Sequence, residues 1–203
     1  MINKNRSSKK PLGEPPTGEA LYETAVRALG RRARSTAEIR LLLQKKKAGK
    51  QQIEAVLERL RGNGYLDDAR FARYFASSRL EGDLQGQARV RRDLRVRGLT
   101  GEAAEKAISS AYQDVDEARL LRQFIRHKVR LSQPLSKPAT VRSLFGRLLR
   151  AGFRSDTIIR EIKRMLQSPL VKGSVAGGSE PPSWDELLDS LSETSETEAD
   201  LDQ

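Results

Sequence analysis

The 203-residue chain has no cysteine, and His127 is its one histidine. The missing cysteines exclude a disulfide framework, a thiolate nucleophile and any thiolate metal site. A single imidazole excludes a multi-histidine metal site and makes any histidine-paired triad depend on His127. That residue lies among Arg126, Lys128 and Arg130 on a helix, where a solvated or phosphate-facing role is expected rather than catalysis. Aromatics make up 5% of the chain and most stand at core spacing, so no platform for stacking single-stranded bases is expected. No apolar run approaches the roughly 20 residues that span a bilayer; the longest are pieces such as Leu41-Leu42-Leu43. The basic N-terminus has no apolar h-region and does not read as a secretory signal. Ala48-Gly49-Lys50-Gln51 lacks the upstream Gly and the Ser/Thr of a P-loop. These absences lead us to expect a soluble cytoplasmic protein with no membrane contact, catalytic site, metal or cofactor.

Charge is abundant but uneven. The net charge is +11, from 38 Lys and Arg against 27 Asp and Glu. Residues 171–203 hold nine acids (Glu180, Asp185, Glu186, Asp189, Glu193, Glu196, Glu198, Asp200 and Asp202) against Lys172 alone, a charge of −8. The other 170 residues therefore carry +19. A body that basic attracts polyanions, with an affinity that falls steeply with salt.

Residues 1–18, rich in Lys, Ser, Pro and Gly, read as a disordered basic arm, and 168–203 as a flexible linker and acidic tail. Between them the apolar period is helical: Ile39/Leu42/Leu43, Ile53/Val56/Leu57/Leu60, Phe71/Phe75, Val90/Leu94, Leu120/Leu121/Phe124/Ile125, Leu144/Leu148 and Ile158/Ile162/Met165. Glycines and prolines cut this pattern into nine helices, with Ser35, Asp67, Thr100 and Ser155 at the N-cap positions. The helices repeat in threes. Val90–Leu99 aligns with Leu144–Phe153 at an offset of 54, and Ile39–Leu43 with the second unit at an offset of 51, where Lys47 stands in the place of Gly98. The expected architecture is all-α. It consists of three tandem three-helix, helix-turn-helix-like modules (19–64, 65–113 and 114–167) in an elongated array between disordered tails.

The segment Gly64-Tyr65-Leu66-Asp67-Asp68, followed by Arg70-Phe71-Ala72 opening the next helix, strongly resembles the RecX family, bacterial regulators of the RecA recombinase. Gly86 to Arg89, Arg91-Arg92-Asp93-Leu94 and Arg97-Gly98-Leu99 are also similar to that family, and the likeness covers roughly residues 20–166. The resemblance implies three tandem three-helix modules. It also implies a regulator, most simply an inhibitor, that binds RecA filaments on DNA and restrains their ATP turnover, strand exchange and co-protease activity in DNA repair and the SOS response. The chain departs from the family at Lys47, where Gly is more usual, and in its acidic tail.

Asp67 and Asp68 suggest a carboxylate pair, but adjacent residues diverge by about 100° on a helix. Capping is the simpler reading, with Gly64 ending one helix and Asp67 starting the next, while Tyr65 and Leu66 plug the seam between modules.

The densest basic run is Arg89, Arg91, Arg92, Arg95 and Arg97. Val90 and Leu94 face the core, so Arg91, Arg92 and Arg95 project outward. Arg142, Arg147, Arg150 and Arg154 occupy the same region of the third module, and Lys45, Lys46 and Lys50, with Lys47, that of the first. Together they are expected to form a stripe for DNA phosphates, single- or double-stranded, or for acidic surface on the RecA filament, met by a monomer. The alternative is a helix-turn-helix transcriptional regulator, which would bind duplex sites as a symmetric dimer. The tail admits three readings: an inert solubiliser, an intramolecular polyanion that folds back on the basic face, or a short helix presenting Trp184, Leu187, Leu188 and Leu191 to a partner groove. Under the capping reading, Asp67→Ala lowers stability in thermal melts by about 1 kcal/mol and leaves activity in place. Full stability with selective loss of activity contradicts it.

Overall fold

The computed structural model describes residues 16–130, 135, 137–167, 183, 186–188, 190 and 191. The basic arm through residue 15, the linker over 168–182, Trp184 and the acids from Glu193 onward lie outside the described residues. Among the described residues the elements that hold the cores are helices: α1 (Gly18–Arg31), α2 (Thr36–Lys45), α3 (Lys50–Gly62), α4 (Asp68–Glu81), α5 (Gln87–Val96), α6 (Glu102–Tyr112), α7 (Glu117–Lys128), α8 (Pro138–Arg150) and α9 (Ser155–Leu166). Helix α1 begins one residue inside the segment read as the arm. The chain divides into two compact units, Met1–Asp68 and Ala69–Gln203.

In the first unit α1, α2 and α3 pack against one another around Leu21, Ile39, Leu43, Ile53, Leu57 and Leu60. Helix α2 starts at a full capping box: Ser35 Oγ accepts from the Glu38 N–H, and the Glu38 carboxylate accepts from the Ser35 N–H. Asp68 adds a second carboxylate at the same helix start, its Oδ1 accepting from the Thr36 N–H at 2.8 Å. That places negative charge at the positive end of the α2 dipole. The two aspartates of the motif thus part ways: Asp67 immediately precedes α4, and Asp68 reaches back 32 residues. Leu66 is buried in the first unit's core, but Tyr65 is 50% exposed, which corrects the reading of it as a plug. The backbone explains the difference. Gly64 at φ +71 turns the chain so that the Tyr65 and Leu66 N–H groups both point at the Leu60 carbonyl. Farther along the motif, Arg70 is exposed while Phe71 and Ala72 are buried.

The second unit buries Phe71 and Phe75 of α4, Val90 and Leu94 of α5, Ile108 of α6, Leu121 of α7, Leu144 and Leu148 of α8 and Ile158 and Ile162 of α9 in one core. Here α5 packs on α6, and both α7 and α8 pack on α9. Leu188 is completely buried in this core, with Leu187 and Leu191 half-buried against it. The tail's apolar face is therefore seated on its own chain.

The ends of α2, α5 and α8 close in the same way. Lys47, Gly98 and Gly152 take positive φ (61°, 74° and 93°). The next residue's N–H then returns to the third-last helical carbonyl: Ala48 to Leu43, Leu99 to Leu94 and Phe153 to Leu148. The apolar residue after each turn is thereby brought back onto the last buried leucine. Lys47 fills the left-handed position that glycine fills in the other two turns, so the departure from the family pattern preserves the turn, at a steric cost of about 1–2 kcal/mol.

Two of the expected N-caps shift by one residue. Helix α6 is capped by Gly101, not Thr100, because φ +82 at Gly101 delays the helix start. Helix α9 is capped by Arg154, with Ser155 its first residue. The side-chain cap of α9 comes from α7, where Glu117 accepts the Arg154 N–H at 3.0 Å and the Thr157 hydroxyl at 2.8 Å.

Within the second unit the α8–α9 turn touches the start of α5 backbone to backbone. The Gly86 N–H donates to the Ala151 carbonyl at 2.9 Å and the Ala88 N–H to the Gly152 carbonyl at 3.3 Å. A Cβ on Gly86 would lie 2.0 Å from the Gly152 oxygen. Gly86→Ala must force this junction apart and is expected to destabilise the second unit by about 2–3 kcal/mol in thermal or denaturant unfolding. Gly146→Ala, in the middle of α8 beside only a flexible arginine end, should stabilise by about 0.5–1 kcal/mol. Equal effects of the two substitutions would contradict the junction.

Candidate nucleic-acid interface

The cations fall into those bound by the protein's own acids and those left over. On α5, Val90 and Leu94 are fully buried, which turns Arg92 and Arg95 to the exposed side beside Val96, itself 83% exposed. Arg91 is committed to an acid. Its guanidinium makes paired hydrogen bonds to Glu105 of α6 at 2.7 and 2.8 Å. That bond raises the arginine pKa further and holds the Glu105 carboxyl below its ordinary value. The same strut recurs in the first unit, at the offset of 51 residues, as Arg40 bonded to Glu54. At the equivalent positions of α8 and α9 stand Phe145 and Ile159, so an apolar pair replaces the ion pair. The role of Arg91 is thus to brace two helices.

Arg89 is half-buried at the α5–turn junction and pairs with Asp93 at 3.1 Å. The Arg97 guanidinium lies 5.0 Å from the centre of the Phe75 ring. Arg154 pairs with Asp156 at 3.1 Å. Lys45, Lys46 and Lys50 are exposed at the end of α2 and the start of α3, in the first unit.

Helix α8 is different. Arg142, Arg147 and Arg150 are exposed, and no acid among the described residues pairs with any of them. Arg147 instead donates to the Lys128 carbonyl at the end of α7, which joins that helix's last turn to α8. There Arg126, His127, Lys128 and Arg130 are all exposed and likewise have no acidic partner among the described residues. The cations of α5 and α8 do not match position for position. At the offset of 54, Arg92 and Arg95 correspond to Gly146 and Leu149. Repeat alignment therefore passed over the α7 cluster. Its signal in the sequence was the run from Arg126 to Arg130 without an acid.

Such a surface suits polyanion binding: a group of guanidinium and ammonium ions with no acidic partner among the described residues, on helices whose backbones are fixed by packing. Among the described residues no group of three or more His, Asp or Glu side chains could hold a metal ion, and no helix is long and apolar enough to cross a membrane.

Comparison with known proteins gives two adjacent domain matches: "RecX, first three-helix domain" over residues 22–60 and "RecX, second three-helix domain" over residues 67–108. The chain is 32% identical over 139 residues to the regulatory protein RecX of Trichlorobacter lovleyi, covering 68% of this chain and 90% of the relative. It is 31% identical to that of Deinococcus radiodurans, over 77% of this chain and 75% of the relative. The fold is shared with a crystal structure of a regulatory protein RecX at TM-score 0.55 and 22% identity, covering 72% of this chain and 71% of the other. It is also shared with RecX from Lactobacillus salivarius at TM-score 0.54 and 16% identity, over 73% of this chain and 96% of that one. With a motif, two successive domains and relatives matched over more than two thirds of the chain in agreement, the chain belongs to the RecX family of regulatory proteins.

Proposed function

We propose that the protein regulates the RecA recombinase by binding the RecA–DNA filament through its basic surface as a monomer, and that it lowers filament activity without being an enzyme itself. Family membership supports the RecA partner. The observation that carries the binding mode is the set of cations on α7 and α8 with no acidic partner among the described residues, joined by the bond from Arg147 to the Lys128 carbonyl. In this reading α7–α9 form a third repeat beyond the two matched domains, with module limits at 19–64, 65–113 and 114–167.

Arg92 of α5 extends the surface. Arg142, Arg147 and Arg150 are its centre, together with the α7 cluster. Lys45, Lys46 and Lys50 are a separate contribution from the first unit. Arg89, Arg91, Arg97 and Arg154 contribute less, because each is already engaged within the protein. Binding across the seam between neighbouring filament subunits restricts their relative motion and so slows ATP turnover and strand exchange without contact with the nucleotide site.

The test is ATP hydrolysis by RecA on single-stranded DNA with increasing amounts of the protein. Wild type is expected to suppress hydrolysis. Arg130→Glu, Arg142→Glu and Arg150→Glu combined should require at least about tenfold more protein for the same effect, and should reduce the salt slope of binding by about one per cation removed. Undiminished suppression by this variant, at low and high salt, would show that the surface is elsewhere.

A further inference from the structure

The proposed surface draws its central cations from two helices, α7 and α8, and both pack on α9. Like charges on neighbouring helices repel, so the two halves of such a surface need a link between them. The body of α7 is anchored by the buried Leu120 and Leu121 and by Phe124, whose ring meets that of Phe153 edge-on at 5.4 Å. Its last turn has less to hold it. Ile125 and Val129 are half-buried there, and the Val129 N–H closes the turn on the Ile125 carbonyl at 3.2 Å. The carbonyls beyond Ile125 lie past the helix's own hydrogen-bond ladder. Arg147 of α8 takes up one of them, donating from Nη2 to the Lys128 carbonyl.

We infer that Arg147 is a positioning residue: by holding the last turn of α7 against α8, it brings Lys128 and Arg130 into one polyanion-binding surface with Arg142 and Arg150. The inference deepens the polyanion-binding reading given above and rests on it. Arg147 is exposed and no acid among the described residues pairs with it, so the partner it has found is a neutral oxygen and not a counter-ion. That oxygen stands at the negative end of the α7 dipole, which attracts a guanidinium even though Arg126 and Lys128 on the same turn repel it. A charge-assisted bond there also satisfies a carbonyl that α7 cannot satisfy by itself. At the offset of 54 the residue equivalent to Arg147 is Asp93, which pairs with Arg89 of its own helix, so alignment of the repeats gives no sign of this bridge.

The bond therefore acts on affinity through other residues. A loose last turn spreads its cations over many arrangements, and a polyanion must order them on binding at a cost in conformational entropy. A turn fixed beforehand spares most of that cost. Loss of Arg147 accordingly weakens the contacts of Lys128 and Arg130 in addition to removing one charge. Arg142 is also exposed on α8 and makes no bond to α7 among the described residues, which makes it the natural comparison.

The experiment compares Arg147→Met with Arg142→Met in the full chain, since each removes one exposed cation from α8 and keeps helix propensity nearly the same. Binding to a fluorescein-labelled oligothymidylate is followed by anisotropy across a salt series. Arg142→Met is expected to lower the salt slope by about one. Arg147→Met should lower it by more, and should bind about tenfold more weakly than Arg142→Met at low salt. Adding Arg130→Met should cost much less in the Arg147→Met background than in the wild type. Hydrogen exchange of the last turn of α7 should quicken in Arg147→Met and not in Arg142→Met. Equal losses in the two variants, additive with Arg130→Met, overturn the positioning role and leave the basic surface standing. Unchanged exchange at the end of α7 overturns it as well, whatever the affinity. Failure of the wild type to bind the oligonucleotide overturns the polyanion-binding reading, and this inference with it.

Discussion

A chain in which 32% of residues are charged has few apolar side chains to bury, and its helices are short. What holds them is the return of the chain onto its own last leucine after α2, α5 and α8. A left-handed residue reverses direction, and the next residue's N–H reaches back to the carbonyl of Leu43, Leu94 or Leu148, each with no exposed surface. Each such leucine contributes about 1.5–3 kcal/mol by burial. With the α2–α3, α5–α6 and α8–α9 turns fixed, the outward faces of the second helices are fixed too, and with them the directions in which Arg92, Arg142 and Arg150 project. Glycine is the economical residue for that turn, yet Lys47 shows that the geometry outranks the residue.

The second constraint is electrostatic. Arg40 with Glu54 and Arg91 with Glu105 are one strut used twice, and each consumes a cation that composition alone would assign to a binding surface. Glu161, buried on α9, is flanked by Arg164 at 2.6 Å and Arg122 at 3.5 Å and consumes two more. Among the described residues of the second unit, the cations that remain gather at the end of α7 and along α8. Net charge therefore overstates the binding surface, and its position depends on which arginines have an acid within reach.

The helices were legible because period and punctuation agree: Leu94 and Leu148, Gly98 and Gly152, and Ser35 each announce their role locally. The motif from Gly64 to Asp68 was legible as a helix end, since left-handed glycine and a following aspartate are local signals. Three things were not. Asp68 serves a helix start 32 residues earlier, and Glu117 one 37 residues later, and no spacing rule links residues that far apart. Arg91 looked like Arg92 because only the position of Glu105 separates a strut from an exposed cation. The contact of Gly86 with the α8–α9 turn needs both backbones in place, so the sequence offered just two small residues. Where the reading went astray, as with Tyr65, it assigned burial from residue type, while the turn at Gly64 leaves that ring half exposed.

The proposed basic surface joins these threads, since packing aims it and internal acids trim it. The most direct measurement is the affinity of the unmodified protein for preformed RecA–DNA filaments as a function of salt. The account requires a linear fall of log affinity against log salt with a slope of several units, as several phosphate or carboxylate contacts are released together. A flat profile would mean that contacts other than these cations hold the protein on the filament, and would contradict it.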